Sequence, residues 1–276
     1  MADAGRCWGC NRPVDAVAPD ADGYVRCDAC GLRFAPSGIA PRERYDDSYF
    51  ADYRGGDYFA TESLRRHEAR VRLGLVRAAS GRAAVDLLEV GCAAGFFLDE
   101  ARALGWRPRG IEPAEGPAQH AREELGLEVV VDFAEDVALE PESVDSVCLW
   151  HTLEHIPDPS GMLEHLCDAL RPGGTLLVEV PNGGSLLARR EGRAWVALEP
   201  DVHVAQWNPP ALRALLERTG YVVEAVSTVP FLTYVDGGCN RLLRRAYLAL
   251  RQRRWMREPH PSGHELLRAV ARRPVG

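Results

Sequence analysis

The sequence predicts the α/β class: a mostly parallel sheet covered by helices on both faces, with a small cysteine-clipped module in front of it. Two observations carry this reading. From Val85 to Val180 short apolar runs alternate with helical stretches (85–90, 99–104, 109–111, 118–125, 128–131, 144–150, 162–170 and 175–180), which is the order of repeated strand–helix–strand units. Within the first 40 residues, two closely spaced cysteine pairs stand in place of any helical or alternating periodicity.

Composition sets the bounds. The chain has 276 residues, 46% apolar and 26% charged, values that exclude collagen-like, disordered and disulfide-dense classes. No apolar run approaches the roughly 18 to 20 residues that span a bilayer, and the opening Met1-Ala2-Asp3-Ala4 is acidic. Neither a span nor a signal peptide is expected, and the expected compartment is cytoplasmic. The net charge of −7 is uneven: residues 241–276 hold ten arginines against Glu258 and Glu265, a net of +8, which leaves −15 for residues 1–240. An acidic body is a poor partner for nucleic acid.

In chain order, Cys7, Cys10, Cys27 and Cys30 form C-x2-C, sixteen intervening residues, then C-x2-C. This spacing suits a four-cysteine zinc ribbon, in which each pair turns back to offer two thiolates to one tetrahedral ion. A module of about 40 residues with little core needs such a clip to fold. Four thiolates leave zinc no open position, so the ion is expected to be structural. From Arg42 to Tyr58 five aromatics stand among acids, and Ser63–Ala79 has helical apolar spacing. Tyr45, Tyr49, Phe50 and Tyr53 read as a lid or as a helix stripe packed in the core.

Val85–Val90 reads as a strand, Gly91-Cys92-Ala93-Ala94-Gly95 as a tight turn, and Phe96–Leu104 as a helix. Small residues after a first parallel strand let a ligand approach the backbone where helix N-termini also point. A second strand, Arg109–Ile111, ends in Glu112-Pro113, and a carboxylate there can accept two hydrogen bonds from a ribose diol.

Leu88-Glu89-Val90-Gly91-Cys92-Ala93-Ala94-Gly95, Glu112-Pro113, the segment Trp150-His151-Thr152-Leu153-Glu154-His155-Ile156-Pro157-Asp158-Pro159 and the turn Arg171-Pro172-Gly173-Gly174 together resemble the Rossmann-like S-adenosylmethionine-dependent methyltransferases over roughly residues 80–226. The resemblance implies that Glu89, Gly91, Cys92, Ala93 and Gly95 flank the methionine part of that cofactor. It further implies that Glu112 and Pro113 face the ribose, that Asp132 and Phe133 lie by the adenine, and that Trp150, Tyr49 and Phe50 complete the cofactor site. Ala93 stands where many members have a third glycine. The chain is similar to members with an N-terminal zinc ribbon that methylate sugars and other small metabolites.

Methyl transfer from a sulfonium is an in-line displacement, so the protein supplies alignment and, for a hydroxyl acceptor, a base. His203 and His151 are the candidates: His151 directly follows the strand Val144–Trp150, and His203 lies in the loop 199–203, where the resemblance implies a base. The expected domains are a zinc ribbon (1–40), an aromatic lid and helical linker (41–80), the S-adenosylmethionine-binding domain (81–235) and a basic helical extension (236–276). A basic amphipathic helix over 241–257 can lie on an anionic membrane, grip a phosphate, or pack on the acidic body or on the second subunit of a homodimer, and packing is the preferred reading. The final dozen residues are expected to fray, and no seventh strand is evident after Tyr221–Val226.

The leading functional expectation is methyl transfer to a small-molecule acceptor. The alternatives are an RNA methyltransferase that holds RNA on its ribbon and a non-catalytic cofactor-binding module. The ribbon argues against RNA, because Arg6, Arg12, Arg26 and Arg33 face Asp3, Asp15, Asp20, Asp22 and Asp28, a net of −1.

Overall fold

The structure, a computed structural model, describes residues 5–14, 19–36, 58–229 and 264–275. Tyr45, Tyr49, Phe50, Tyr53 and the arginine-rich segment 241–257 lie outside the described residues.

A seven-stranded sheet organises the chain. Its strands are β3 (Asp86–Val90), β4 (Arg107–Ile111), β5 (Glu128–Val130), β6 (Val144–Trp150), β7 (Leu170–Pro181), β9 (Val222–Val229) and β10 (Leu266–Arg272), in the order β5-β4-β3-β6-β7-β10-β9. The β5-β4-β3-β6-β7 part is parallel throughout, and β10 runs antiparallel to both of its neighbours. All seven residues of β6 are buried, as expected of a central parallel strand covered on both faces.

The helices follow their apolar spacing. Helix α1 (Glu62–Ser80) buries Ala69, Leu73 and Val76 and stops at Gly81 in the left-handed region. Helix α2 (Phe96–Ala103) begins directly after the glycine turn. Helix α3 (Glu115–Gln119) continues as one wider turn over His120–Glu124. Then come α4 (Ser160–Ala169) and α5 (Leu186–Glu191). Helix α6 (Pro209–Arg218) starts where the Asn208 side chain accepts from the Ala211 amide, with prolines in the first turn, where no intrahelical N–H is needed.

The cysteine module carries two short strands, β1 (Val25–Arg26) and β2 (Arg33–Phe34), and it does not stand apart. Strand β2 pairs antiparallel with β8 (Ala205–Gln206), between β7 and α6 in the chain. Trp8, Leu32 and Phe34 belong to the same buried cluster as Val147 of β6, Val178 of β7 and Leu212 of α6.

The C-terminal expectation requires correction. Residues 266–272 neither fray nor form a helix; they are β10, the seventh strand, inserted between β7 and β9 with ladders on both sides. Sequence order hid it, since the strand returns to the sheet only after the long arginine-rich stretch. Leu267, Ala269 and Ala271 are buried, while Arg268 and Arg272 are neutralised by Glu179 and Glu224.

Candidate active site

The parallel strands β3, β4 and β6 end at one edge, and there the candidate residues gather. After Val90 the chain turns through Gly91 at φ +74°, with its amide on the Ile111 carbonyl at 2.8 Å. A Cβ at position 91 would lie 2.6 Å from Thr152 Oγ1, which itself donates to the Val90 carbonyl at 2.9 Å. Glycine is therefore required at position 91 twice over, by backbone angle and by the close approach of Thr152. Ala93, where the resemblance has a glycine, holds φ +46° all the same. Cys92 is buried against Gly110, which leaves no room there for a side chain.

Glu112 follows β4 and is buried. Its carboxylate accepts the amides of Ala93 at 2.8 Å and Ala114 at 3.0 Å, tying the glycine turn to the next loop. Burial outweighs these two bonds and pushes its carboxyl up to about 7. Glu89, on β3, is also buried; its Oε2 has no hydrogen-bond partner among the described residues, and burial raises its carboxyl well above the usual range. An unpartnered buried carboxylate oxygen is costly unless a ligand meets it.

Half-buried Pro113 and exposed Asp132 flank the same edge, and Asp132 accepts its neighbour Phe133's amide at 2.8 Å. Trp150, last residue of β6, packs edge-on to Phe97 at 5.6 Å with the Arg72 guanidinium 5.1 Å from its ring. Tyr49 and Phe50 are outside the described residues. An aromatic group is nonetheless present: Tyr58 stacks on Phe96 at 6.2 Å, and His120 packs 5.6 Å from Phe96 while its Nδ1 meets the Ala94 carbonyl. Sequence reasoning missed His120 and Thr152. His120 had no signal, whereas Thr152 stood inside the motif already singled out.

The second group lies beyond β6. His151 takes φ +58°, which presents its ring between two carboxylates, with Nδ1 3.5 Å from Glu154 and Nε2 3.5 Å from Glu179. Burial alone would lower its pKa, but those two carboxylates prevail and hold it above its ordinary value. Glu179 is fully buried and is bridged by Arg72 of α1 and Arg268 of β10. Their charges hold it well below the usual carboxylate range despite its burial.

His203 is 5% exposed, with Nδ1 2.9 Å from the Ala197 carbonyl. A carbonyl only accepts, so Nδ1 carries the proton and Nε2 is the basic nitrogen of the neutral ring. The ring packs edge-on to His155 at 4.7 Å, and His155 Nδ1 meets the Val202 carbonyl at 3.1 Å. Burial, then the nearby His203, lowers His155 to about 3. Ligand-capable atoms of Glu154, His155 and His203 lie within 4.8 Å of one another, and neither Glu154 oxygen has a hydrogen-bond partner among the described residues.

The four N-terminal cysteines also converge. Cys7 and Cys30 sulfurs lie 3.5 Å apart and Cys10 and Cys27 sulfurs 3.6 Å apart, too long for disulfides. They are close to the roughly 3.8 Å edge of a tetrahedron with metal–sulfur bonds of about 2.3 Å. All four can hold one metal ion.

Comparison with known proteins shows relatives in sequence and in fold. The chain is 30% identical over 162 residues to a probable S-adenosylmethionine-dependent methyltransferase of Mycolicibacterium smegmatis, covering 58% of this chain and 60% of that one. It is 35% identical over 118 residues to a ubiquinone biosynthesis O-methyltransferase of Xanthomonas campestris, covering 41% and 49%. The chain thus spans about half to three-fifths of the length of these curated relatives. Among solved structures, an S-adenosylmethionine-dependent methyltransferase from Archaeoglobus fulgidus superposes with TM-score 0.56 at 18% identity, covering 82% of this chain and 98% of that one. The Burkholderia thailandensis 1,6-didemethyltoxoflavin-N1-methyltransferase, solved with S-adenosylhomocysteine, superposes with TM-score 0.57 at 16% identity, covering 85% and 88%. Both share the Rossmann-like fold. Residues 61–226, more than half of the chain, match the family described as a methyltransferase domain, and the glycine turn, the acid after β4 and the sheet order agree: this chain belongs to that family.

Proposed function

We propose that this chain transfers a methyl group from S-adenosylmethionine to a small-molecule acceptor, with sugars and secondary metabolites as the leading class. The carrying observation is the β3 edge, where a positive-φ turn, the unpartnered Oε2 of buried Glu89 and the carboxylate of Glu112 lie together. The fit is chemical: the turn admits a ligand to the backbone, Glu89 offers a carboxyl whose ionised form an ammonium would stabilise, and Glu112 offers an acceptor to a diol. The relatives named for ubiquinone and toxoflavin chemistry support a small acceptor. No described helix is long and apolar enough to cross a membrane.

When bound, S-adenosylmethionine supplies an electrophilic methyl carbon on a sulfonium. The chain's own groups do the rest. Glu89, Gly91, Cys92, Ala93 and Gly95 would hold the methionine end, Glu112 and Pro113 the ribose, and Asp132 and Phe133 the adenine. His203 is the favoured base: its Ala197 bond orients the ring, and the Glu154 carboxylate close by stabilises the imidazolium formed when Nε2 takes the acceptor's proton. His151 ranks behind it, because two carboxylates keep it toward its charged form. The cysteine cluster takes one structural zinc ion, consistent with its sulfur spacing.

Titration calorimetry with S-adenosylmethionine tests the cofactor assignment. Binding by the folded, zinc-loaded chain supports it, and absence of binding removes it.

A further inference from the structure

We propose that the cysteine module is the positioning device of the acceptor half of the site, and that Tyr24 is the positioning residue through which it holds the His203 segment in place. The proposal rests on the reading of His203 as the acceptor-side base.

Four contacts converge on residues 203–206, the segment that carries His203 into β8. The Tyr24 hydroxyl, fully buried, donates to the His203 carbonyl at 2.6 Å and accepts from Gln206 Nε2 at 3.2 Å. The Ala35 amide donates to the Val204 carbonyl at 2.9 Å, and β2 pairs with β8 through Arg33 opposite Gln206 and Phe34 opposite Ala205. Among the described residues the segment's strand pairing is with the module and not with the main sheet.

Tyr24 itself is fixed from the module side. Asp20 accepts the Tyr24 amide at 3.0 Å and the Arg33 guanidinium at 2.7 Å, and that guanidinium lies 4.9 Å from the Tyr24 ring. Burial pushes the phenol up to about 12, so it stays a donor across the neutral range. Cys27 and Cys30 lie between β1 and β2, the hairpin that bears these contacts. A second clamp holds the module at its other end, where Arg218 of α6 donates to the carbonyls of Trp8 at 2.6 Å and Gly9 at 2.8 Å, beside Cys7 and Cys10. Closing the four thiolates on zinc therefore fixes a hairpin whose second strand, β2, and buried phenol set where the His203 backbone lies. A displacement of about 1 Å at a reacting group can cost about a hundredfold in rate, so this hold is functionally consequential.

The test reads His203 directly and needs no acceptor. Full-length protein labelled with ¹⁵N-histidine is compared as wild type, as Tyr24→Phe and after zinc removal by a chelator, using long-range ¹H–¹⁵N spectra with His165, which meets the Val137 carbonyl, as the remote control. The expected result is displaced His203 ring signals in both perturbed samples, unmoved His165 signals, zinc retained by Tyr24→Phe, and S-adenosylmethionine affinity within about twofold of wild type. Ala35→Pro, which deletes the donor to Val204, is expected to shift the same signals and serves if the stripped protein unfolds. Unmoved His203 signals in Tyr24→Phe and Ala35→Pro overturn the proposal. Wild type that fails to bind S-adenosylmethionine would instead remove the methyl-transfer reading and leave the spectroscopic coupling standing.

Discussion

The two halves of the site are assembled in opposite ways. The proposed cofactor half rests chiefly on one stretch, from Glu89 through the glycine turn to Glu112 and Ala114, closed by a carboxylate bonded to its own loops, with Asp132 and Phe133 added from just after β5. The acceptor half draws His203, Glu154, Glu179, Arg268 and Tyr24 from separate segments, one in the cysteine module and one in the last strand. The lesson is where each half is vulnerable. A local loop fails through its own residues, whereas a gathered cluster fails when any distant segment is displaced.

Four measurements break or sharpen that contrast. The largest effect is expected from His203→Ala, which should lower turnover on whichever acceptor the wild type methylates by about 10²- to 10⁴-fold while the S-adenosylmethionine dissociation constant stays within about twofold. A matching loss of cofactor affinity would show that the halves are one unit. Next, Arg268→Met leaves Glu179 with Arg72 as its remaining arginine; urea unfolding should show a loss of up to about 3 kcal/mol, since a buried carboxylate loses part of its compensation. An unchanged midpoint would mean that β10 contributes packing but no charge.

Glu112→Ala acts on the other half. It should weaken S-adenosylmethionine binding by about 1.5 to 3 kcal/mol in calorimetry, through loss of charge-assisted hydrogen bonds, and leave the His203 ring signals in place. Unchanged affinity would refute the placement of the ribose on β4. The smallest effect is a pH dependence. Because the Glu112 carboxyl is raised to about 7 in the folded chain from an ordinary 4.5, its contribution to stability is present below about pH 4.5 and fades as the pH rises through about 7. On the proposed ribose contact, binding favours the ionised form, so affinity should rise by up to about tenfold from pH 6 to pH 8. The Glu112→Gln variant should be flat over that range; a slope equal to that of wild type would assign the titration to another group.

The same contrast explains what was legible beforehand. Strand β6 is legible to its exact ends because Val144 and the apolar run Val147-Cys148-Leu149-Trp150 frame it, although buried Asp145 and Ser146 interrupt the pattern. The glycine turn was read because Gly91 and Gly95 need their angles locally. Strand β10 was not read, because its arginines suit a strand only once Glu179 and Glu224 stand opposite them.

What the sequence determined by itself was therefore whatever depends on near neighbours: the alternation of strands and helices, the spacing of the cysteine pairs, the cofactor turn and the acid after β4. Only the tertiary structure decided the rest: that the cysteine module pairs with β8, that Tyr24 reaches the His203 carbonyl, that His151 lies between two carboxylates, and that the chain's last strand enters between β7 and β9. The physical reason is range. Backbone angles and burial periodicity are written in a few adjacent residues, but hydrogen bonds and ion pairs between segments up to 210 positions apart exist only after the sheet has brought their backbones together.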